Sequence, residues 1–341
     1  MELPIKTDKK RKKTVKLRIK ILLTIFIVLL LGIVYEQIGE YVDNKEYQPV
    51  GKLIDVDGHN MHIWADGTGD ATVVFGVGFQ MPSGYVDFYP LYSEIEKQAR
   101  VAVYDKPGYG WSDVTNAPRD IDTITKEIHA ALVLSGEKPP YILVAHSIAS
   151  LEAIRFAQLY KDEVNGVVLI DGSNPDMYVD MPRASRAFDF AFARTAIFKG
   201  TISLANKTGI IRTLFHTVYP YSATPMSTGR SGFELAPEKL KKLDRALFLR
   251  TFNNRNQVDE GNKKEENAFT VLSNGYLGDI PLRIITSEYL NSYPESAGEQ
   301  LRLLEWSTDS KQIIVDGANH AVHWSNPGVI NNEIVDLLNT K

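Results

Sequence analysis

Short apolar segments that alternate with helical patterns constrain the fold of this chain more than any other feature. The apolar segment Tyr141–Val144 is followed by a helical pattern that continues through Tyr160, and then by a second apolar segment, Gly166–Ile170. A strand, a helix and a second strand in this order form a unit in which the two strands lie parallel. The alternation predicts an α/β fold with a mostly parallel sheet covered by helices on both faces.

Segments of the same type occur on both sides of this unit. Two of them, parted by Asp57 and Gly58, predict a β-hairpin, and Ile121–Leu132 has apolar residues at helical spacing. The predicted strands are Lys52–Val56, Asn60–Ala65, Thr72–Phe75, Val101–Tyr104, Tyr141–Val144, Gly166–Ile170, Leu282–Thr286 and Gln312–Val315, and a final helix is predicted near Pro327–Leu338. The core of the domain is therefore predicted to consist of residues 50–175 and 280–341.

The region 176–279 contains no comparable strand and is too long for a loop. It is rich in helix formers and aromatic residues, as in A-F-D-F-A-F-A-R (187–194) and L-K-K-L-D-R-A-L-F-L-R (240–250). We expect a helical cap, or lid, over the carboxyl ends of the strands. The polar stretch 253–267 within it is predicted to be solvated surface.

The N-terminus has the pattern of a membrane anchor. Residues 1–20 contain nine lysines and arginines against two acids, and residues 21–35 carry no charge. At ~1.5 Å per residue the uncharged run spans roughly 22 Å, short of the ~30 Å hydrocarbon core, and flanking residues must supply the rest. A cleaved signal peptide is the competing interpretation, but no small-x-small cleavage site follows the run.

The position of the cations predicts the orientation of this anchor. Lysine and arginine are retained on the cytoplasmic side, so residues 1–20 should form a cytoplasmic tail and the domain that follows the anchor should lie outside the cell membrane. The polar residues 36–49 are predicted to be a tether. Because the basic run leads directly into an apolar helix, we expect it to lie at a membrane and not to bind nucleic acid.

Residue types exclude several kinds of site. The chain has no cysteine, which removes thiol nucleophiles, cysteine metal ligands and disulfides. Its seven histidines show no paired spacing typical of a metal site. The sequence therefore predicts no metal and no cofactor.

One serine has the surroundings of a catalytic nucleophile. Ser147 lies in Ala145-His146-Ser147-Ile148-Ala149, directly between a predicted strand and a predicted helix. A sharp strand-to-helix turn strains the backbone of its central residue and requires small residues two positions before and after it. Alanine stands at both positions here, where glycine is usual, so the motif is a variant of the nucleophile elbow.

These motifs resemble the α/β-hydrolase superfamily. The resemblance rests on Y-D-K-P-G-Y-G-W-S-D (104–113), the elbow, D-E-V-N-G-V-V-L-I-D-G-S (162–173) and G-A-N-H-A-V-H-W-S-N-P (317–327), and it covers about residues 50–175 and 280–341. It implies an α/β-hydrolase fold with Ser147 as nucleophile. It also implies a histidine base directly after the Gly-Ala-Asn turn, which is His320 and not His323.

The resemblance implies further roles near the nucleophile. The backbone N–H groups of Ile148 and of Phe79, in Val77-Gly78-Phe79, are the expected oxyanion donors. The acid of the triad has two candidates. Asp171 directly follows the strand Gly166–Ile170, and Glu288 follows the penultimate strand. Asp171 is the first choice and Glu288 the alternative.

The predicted function is that of a membrane-anchored serine hydrolase. A serine at the elbow indicates an acyl-enzyme, whereas an aspartate would have indicated dehalogenase or epoxide chemistry. The expected partner is a small or lipid-like acyl substrate, with esters, as in a carboxylesterase or lipase, preferred over amides, as in an aminopeptidase. The alternative is a non-catalytic binding or sensory protein of this fold at the membrane surface, suggested by the doubly altered elbow and by the absence of an aspartate after the penultimate strand.

Overall fold

The computed structural model describes residues 6–179 and 196–340. The aromatic stretch 187–194, on which part of the cap prediction rests, lies outside the described residues. The strands are β1 Lys52–Val56, β2 His59–Asp66, β3 Thr72–Gly76, β4 Arg100–Asp105, β5 Tyr141–His146, β6 Val164–Ile170, β7 Leu282–Ser287 and β8 Ser310–Val315. All eight match predicted segments to within a few residues.

These strands form one sheet in the order β1-β2-β4-β3-β5-β6-β7-β8. The pairs β1–β2 and β2–β4 are antiparallel, and the remaining pairs are parallel. The predicted α/β-hydrolase fold with a mostly parallel sheet is confirmed. In β5, Ile142 and Val144 join one core cluster whereas Leu143 and Ala145 join the other, because helices cover both faces of the sheet.

The helices outside the cap complete the two layers around the sheet. Before β7 they are α1 Lys6–Glu46, α2 Gly84–Asp87, α3 Tyr89–Ile95, α4 Ile121–Ser135 and α5 Ala149–Leu159. After β7 come α12 Glu288–Asn291, α13 Pro294–Arg302, α14 Val322–Ser325 and α15 Pro327–Asn339. Helices α6 to α11 lie between these two groups, in the region that joins β6 to β7.

The region between β6 and β7 is helical in its described parts. Its helices are α6 Pro175–Val179, α7 Ala196–Lys207, α8 Ile210–Thr217, α9 Pro225–Thr228, α10 Glu238–Thr251 and α11 Arg255–Ser273. We refer to them together as the cap. The prediction that the polar stretch 253–267 is solvated surface is confirmed only in part, since Arg255, Asn262 and Glu266 are exposed. The stretch forms most of α11, and Glu260 and Asn267 are buried there because each has partners in the core domain.

Helix α1 extends beyond the predicted anchor in both directions. Residues 12–46 are long and apolar enough to cross a membrane by length and composition, and none of their most apolar window is buried. A signal sequence near an N-terminus has the same properties. The segment 36–49, which we expect to be a tether, is helical as far as Glu46, and within it Glu36 and Asp43 bind Arg212 of the cap.

The register of the parallel strands brings their carboxyl ends to one edge. Gly76 of β3 pairs with Ala145 of β5, His146 of β5 pairs with Ile170 of β6, and Ile170 pairs with Ile285 of β7. Residues that follow these strands therefore meet at the same place. In an open α/β sheet, this edge is where ligands bind.

Candidate active site

Ser147 occupies a strained turn between β5 and α5. Its φ angle is +55°, in the left-handed region that side-chain-bearing residues rarely adopt. The turn is held by backbone hydrogen bonds from the Ser147 N–H to the Ile170 carbonyl and from the Ser173 N–H to the Ser147 carbonyl. This is the geometry of a nucleophile elbow, with small residues, Ala145 and Ala149, on each side.

The glycine-bearing loop after β3 lies directly against the elbow. A Cβ atom placed on Gly78 would be 3.2 Å from the Cβ of Ser147 and 3.1 Å from Nδ1 of His146. Glycine at position 78 therefore lets the backbone of this loop approach the serine. The loop and the elbow are thus adjacent, as an oxyanion hole from Phe79 and Ile148 requires, and the role of their N–H groups stays a prediction.

His320 and Asp171 form a hydrogen-bonded pair at this edge. Nδ1 of His320 donates to Oδ2 of Asp171 at 3.1 Å, and the Asp171 side chain is fully buried whereas that of His320 is 45% exposed. Asp171 also accepts the backbone N–H and the hydroxyl of Ser287, each at 2.6 Å. The carboxylate is therefore fixed on three sides, and the imidazole it orients remains accessible.

Glu288, the alternative acid, has a different contact. Its Oε2 accepts the backbone N–H of Gly317 at 2.6 Å. The structure thus brings Asp171 to His320 and uses Glu288 to hold the turn that precedes the histidine. Ser287, which orients Asp171, was not identified from the sequence, although a serine at the end of a strand is a common hydrogen-bond donor.

His146 lies between two other histidines. Its Nε2–H donates to the carbonyl of His320 at 3.0 Å, and its ring centre is 4.6 Å from that of His320 and 4.7 Å from that of His323. Burial lowers the pKa of His146 well below its ordinary value, and the charges of the two neighbouring histidines add to this effect. His146 is therefore neutral, and it braces the loop that carries His320.

His323 belongs to a second, fully buried pair. Its Nε2 lies 3.2 Å from Oδ2 of Asp87, and neither side chain is exposed. Nη1 of Arg230 lies 3.5 Å from Oδ1 of the same carboxylate, and Trp324 Nε1–H donates to it at 3.4 Å. Burial alone would raise the pKa of Asp87, but His323 and Arg230 hold it below its ordinary value.

The side chains of Asp87, His146 and His323 have the composition of a metal site. Their ligand atoms lie within 4.8 Å of one another, and Nδ1 of His146 has no hydrogen-bond partner. No sequence spacing indicated this cluster, because its members lie far apart in the chain. Arg230 is also buried against Asp87, so a divalent cation there would face a guanidinium at close range in a medium of low polarity. The cluster therefore fits an ion-pair network better than a metal centre.

The loop 104–113 is shaped by a buried carboxylate. Asp105 accepts the Gly84 N–H at 2.8 Å and Nδ1–H of His62 at 2.8 Å. Gly110 has φ +49°, and a Cβ atom there would lie 1.8 Å from the Asp105 carboxylate. The glycine at this position of the motif is therefore required by its contact with the aspartate.

The same loop joins the cap to the glycine-bearing loop after β3. Lys106 is buried between Glu152 of α5 and Glu260 of α11, the second contact being 2.7 Å. The hydroxyl of Tyr109 donates to Glu260 at 2.8 Å and accepts the backbone N–H of Gln80 at 3.3 Å. Burial raises the pKa of Glu152, an effect that the charge of Glu260 strengthens and that of Lys106 opposes.

Comparison with known proteins identifies the family. The chain belongs to the α/β hydrolase fold family, whose model matches residues 75–327, more than half of the sequence. YbdG, an uncharacterized protein of Bacillus subtilis (strain 168), is 40% identical over 129 residues, which are 38% of this chain and 40% of that protein. The matched regions span less than half the length of the curated relatives.

Solved structures share the fold. Cfl2 from Burkholderia cenocepacia has a TM-score of 0.65 at 20% identity, over 84% of this chain and 95% of Cfl2. An epoxide hydrolase from Bacillus megaterium has a TM-score of 0.62 at 16% identity, over 85% of this chain and all of that one. At such identities the likeness concerns the fold, and the chemistry must be argued from the site.

Proposed function

We propose that this protein is a membrane-anchored serine hydrolase in which Ser147 is the nucleophile, His320 the general base and Asp171 the orienting acid. The observation that supports this most directly is the His320–Asp171 hydrogen bond of 3.1 Å at the sheet edge that also carries the strained Ser147. An alcohol at neutral pH needs a base within hydrogen-bond reach, and a base needs a partner that fixes its tautomer.

In the proposed reaction, Oγ of Ser147 attacks the acyl carbon while its proton passes to Nε2 of His320. The carbonyl oxygen becomes an oxyanion that the N–H groups of Phe79 and Ile148 stabilise. The tetrahedral intermediate collapses to an acyl-enzyme, and His320 returns the proton to the departing alcohol or amine. Water, deprotonated by His320, then releases the acid and restores Ser147.

The exposure and packing of Phe79 favour a lipid-like ester over other substrates. Phe79 follows Gly78, the residue that lies against Ser147, and it is 37% exposed. Its ring lies against Gly261 of cap helix α11, where a Cβ would be 3.0 Å from Cζ. An aromatic side chain at this position suits an apolar acyl or alcohol group. Amide hydrolysis is the second choice. Epoxide opening is disfavoured because an aspartate nucleophile would be expected in place of Ser147.

The anchor completes the proposal. We infer that α1 crosses the cell membrane once, with its basic start in the cytoplasm and the hydrolase domain outside. Protease added to intact cells should remove the domain. A domain that is protected until lysis would contradict this orientation, and a mature protein that begins near residue 36 would indicate a cleaved signal.

A fluorophosphonate probe tests the chemistry. The full chain in detergent should be labelled, and the Ser147→Ala variant should not be. Labelling that persists in Ser147→Ala would assign the nucleophile elsewhere. A folded wild-type protein that is never labelled would support a non-catalytic binding role.

A further inference from the structure

The cap carries an apolar stripe on its surface. Ile210, Leu214 and Val218 follow one another at a spacing of four residues along α8 and its end, and they are 51%, 41% and 78% exposed. Leu204, which precedes them in the neighbouring helix α7, is 58% exposed. At this spacing side chains lie on one face of a helix, so we call Ile210, Leu214 and Val218 the cap stripe.

The turn between α7 and α8 touches the apolar part of α1. A Cβ atom on Gly32 would lie 2.2 Å from the carbonyl oxygen of Thr208, and one on Gly209 would lie 2.6 Å from the carbonyl oxygen of Gly32. Gly32 lies within the uncharged run 21–35, roughly 4.5 Å along the helix from Tyr35, its last residue. The start of α8 is therefore level with the proposed membrane-spanning segment.

Polar contacts fix α8 to α1 in this position. Arg212 donates to both carboxylate oxygens of Glu36, at 2.9 and 3.1 Å, and to Asp43 at 2.5 Å. The hydroxyl of Tyr35 lies 2.7 Å from Nδ1 of His216. Arg212 is buried, so these contacts are shielded from solvent, and they hold α8 against α1.

The short length of the uncharged run 21–35 explains why the cap would lie at the level of the membrane. At roughly 22 Å the run is shorter than the ~30 Å hydrocarbon core. Beyond Tyr35, α1 shows a further exposed apolar group of residues, Ile38, Tyr41 and Val42. Immersion of this end, together with the cap stripe, would supply the missing apolar surface.

We propose that the cap stripe is immersed in the outer leaflet of the membrane that α1 crosses, so that lipid covers it. The proposal rests on the membrane anchor of the proposed function. It identifies the substrate class more closely, because a cap held in the leaflet favours acyl substrates that partition into the bilayer over those dissolved in water.

Site-specific fluorescence in the full chain tests the immersion. Because the protein has no cysteine, single cysteines can be introduced at Leu214, at Ile27 in the proposed span, and at Leu134, an exposed residue of α4. Each is labelled with an environment-sensitive dye, and the chain is reconstituted into vesicles that contain lipids with a quencher at a shallow or a deep position. We expect shallow quenchers to act at 214, deep quenchers at 27 and neither at 134.

The outcomes separate the two proposals. A dye at 214 that is as unquenched as the dye at 134, while the dye at 27 is quenched, would overturn the immersion and leave the anchor intact. An unquenched dye at 27 would overturn the anchor itself. Equal quenching at 134 and 214 would indicate unspecific adsorption and would also overturn the immersion.

Turnover gives a second test. The Leu214→Asp variant should lower the ratio of turnover on a vesicle-borne long-chain ester to turnover on a water-soluble ester by about tenfold, since a charge opposes insertion at the interface. The matched Leu134→Asp variant should leave this ratio unchanged. An unchanged ratio in Leu214→Asp would contradict the proposal.

Discussion

Two histidine–carboxylate pairs flank the same histidine, His146, and differ in exposure. The His320 ring of the first pair is 45% exposed, whereas His323 and Asp87 of the second are fully buried. Asp171 has neutral donors from Ser287, but Asp87 faces a buried guanidinium. The same two residue types can thus form the accessible pair that we propose for catalysis or a closed pair inside the core, and access to solvent separates the two arrangements.

The largest effect is expected at the exposed pair and its serine. Ser147→Ala and His320→Ala should each lower kcat by roughly 10⁴ to 10⁶, and the double variant should be little worse, because members of a triad act as a unit. Steady-state kinetics on a soluble ester measures this. A nearly active His320→Ala beside a dead His323→Ala would reverse the assignment of the two pairs.

The second-largest loss of turnover is expected when the acid, Asp171, is replaced. Asp171→Asn should lower kcat by on the order of 10³ to 10⁴, because an amide in its place favours the wrong tautomer of His320. Glu288→Gln, the control, should cost less than about tenfold, because an amide oxygen can still accept the N–H of Gly317. Circular dichroism should show both variants folded. A crippled Glu288→Gln with a normal Asp171→Asn would make Asp171 a structural residue.

The buried pair should affect stability far more than turnover. His323→Ala should lower the free energy of unfolding by about 3 kcal/mol, since it leaves Asp87 buried with one partner fewer. Its kcat should remain within about tenfold of wild type, far from the effect of losing a triad member. Denaturant unfolding and kinetics on the same preparation measure both, and a stable but inactive variant would assign His323 to the chemistry.

The smallest effect concerns His146, which touches both pairs. Its pKa is lowered in the folded state from an ordinary value of 6.5. As the pH falls below that value, the unfolded chain therefore binds a proton at His146 and the folded chain does not. Its contribution to stability is therefore complete above the unfolded pKa and is lost as the pH falls, by about 1.4 kcal/mol per pH unit below that value. His146→Gln, which retains a donor for the His320 carbonyl, should reduce this slope. An unchanged slope between pH 6.5 and 5 would show that His146 is protonated in both states or in neither.

The polarity of two segments was not enough to predict their structure. Residues 253–267 were expected in solvent, yet Glu260 is buried because Lys106 and Tyr109 bind it. Residues 36–46 have no clear apolar periodicity, yet they continue α1, in which Glu36 and Asp43 bind Arg212. A sequence window shows that a side chain is charged but cannot show a partner more than a hundred residues away. That partner decides whether the charge can be buried.

The sequence alone determined the order of strands and helices, the elbow around Ser147 and the apolar run of α1, because these depend on residues that are neighbours in the chain. Tertiary structure decided which acid contacts His320, since Asp171 is 149 residues away and reaches it through the register of parallel strands. It likewise decided that His323 is a buried partner of Asp87. Periodicity carries information over a turn or a strand, and contacts between distant segments are specified by how the layers pack.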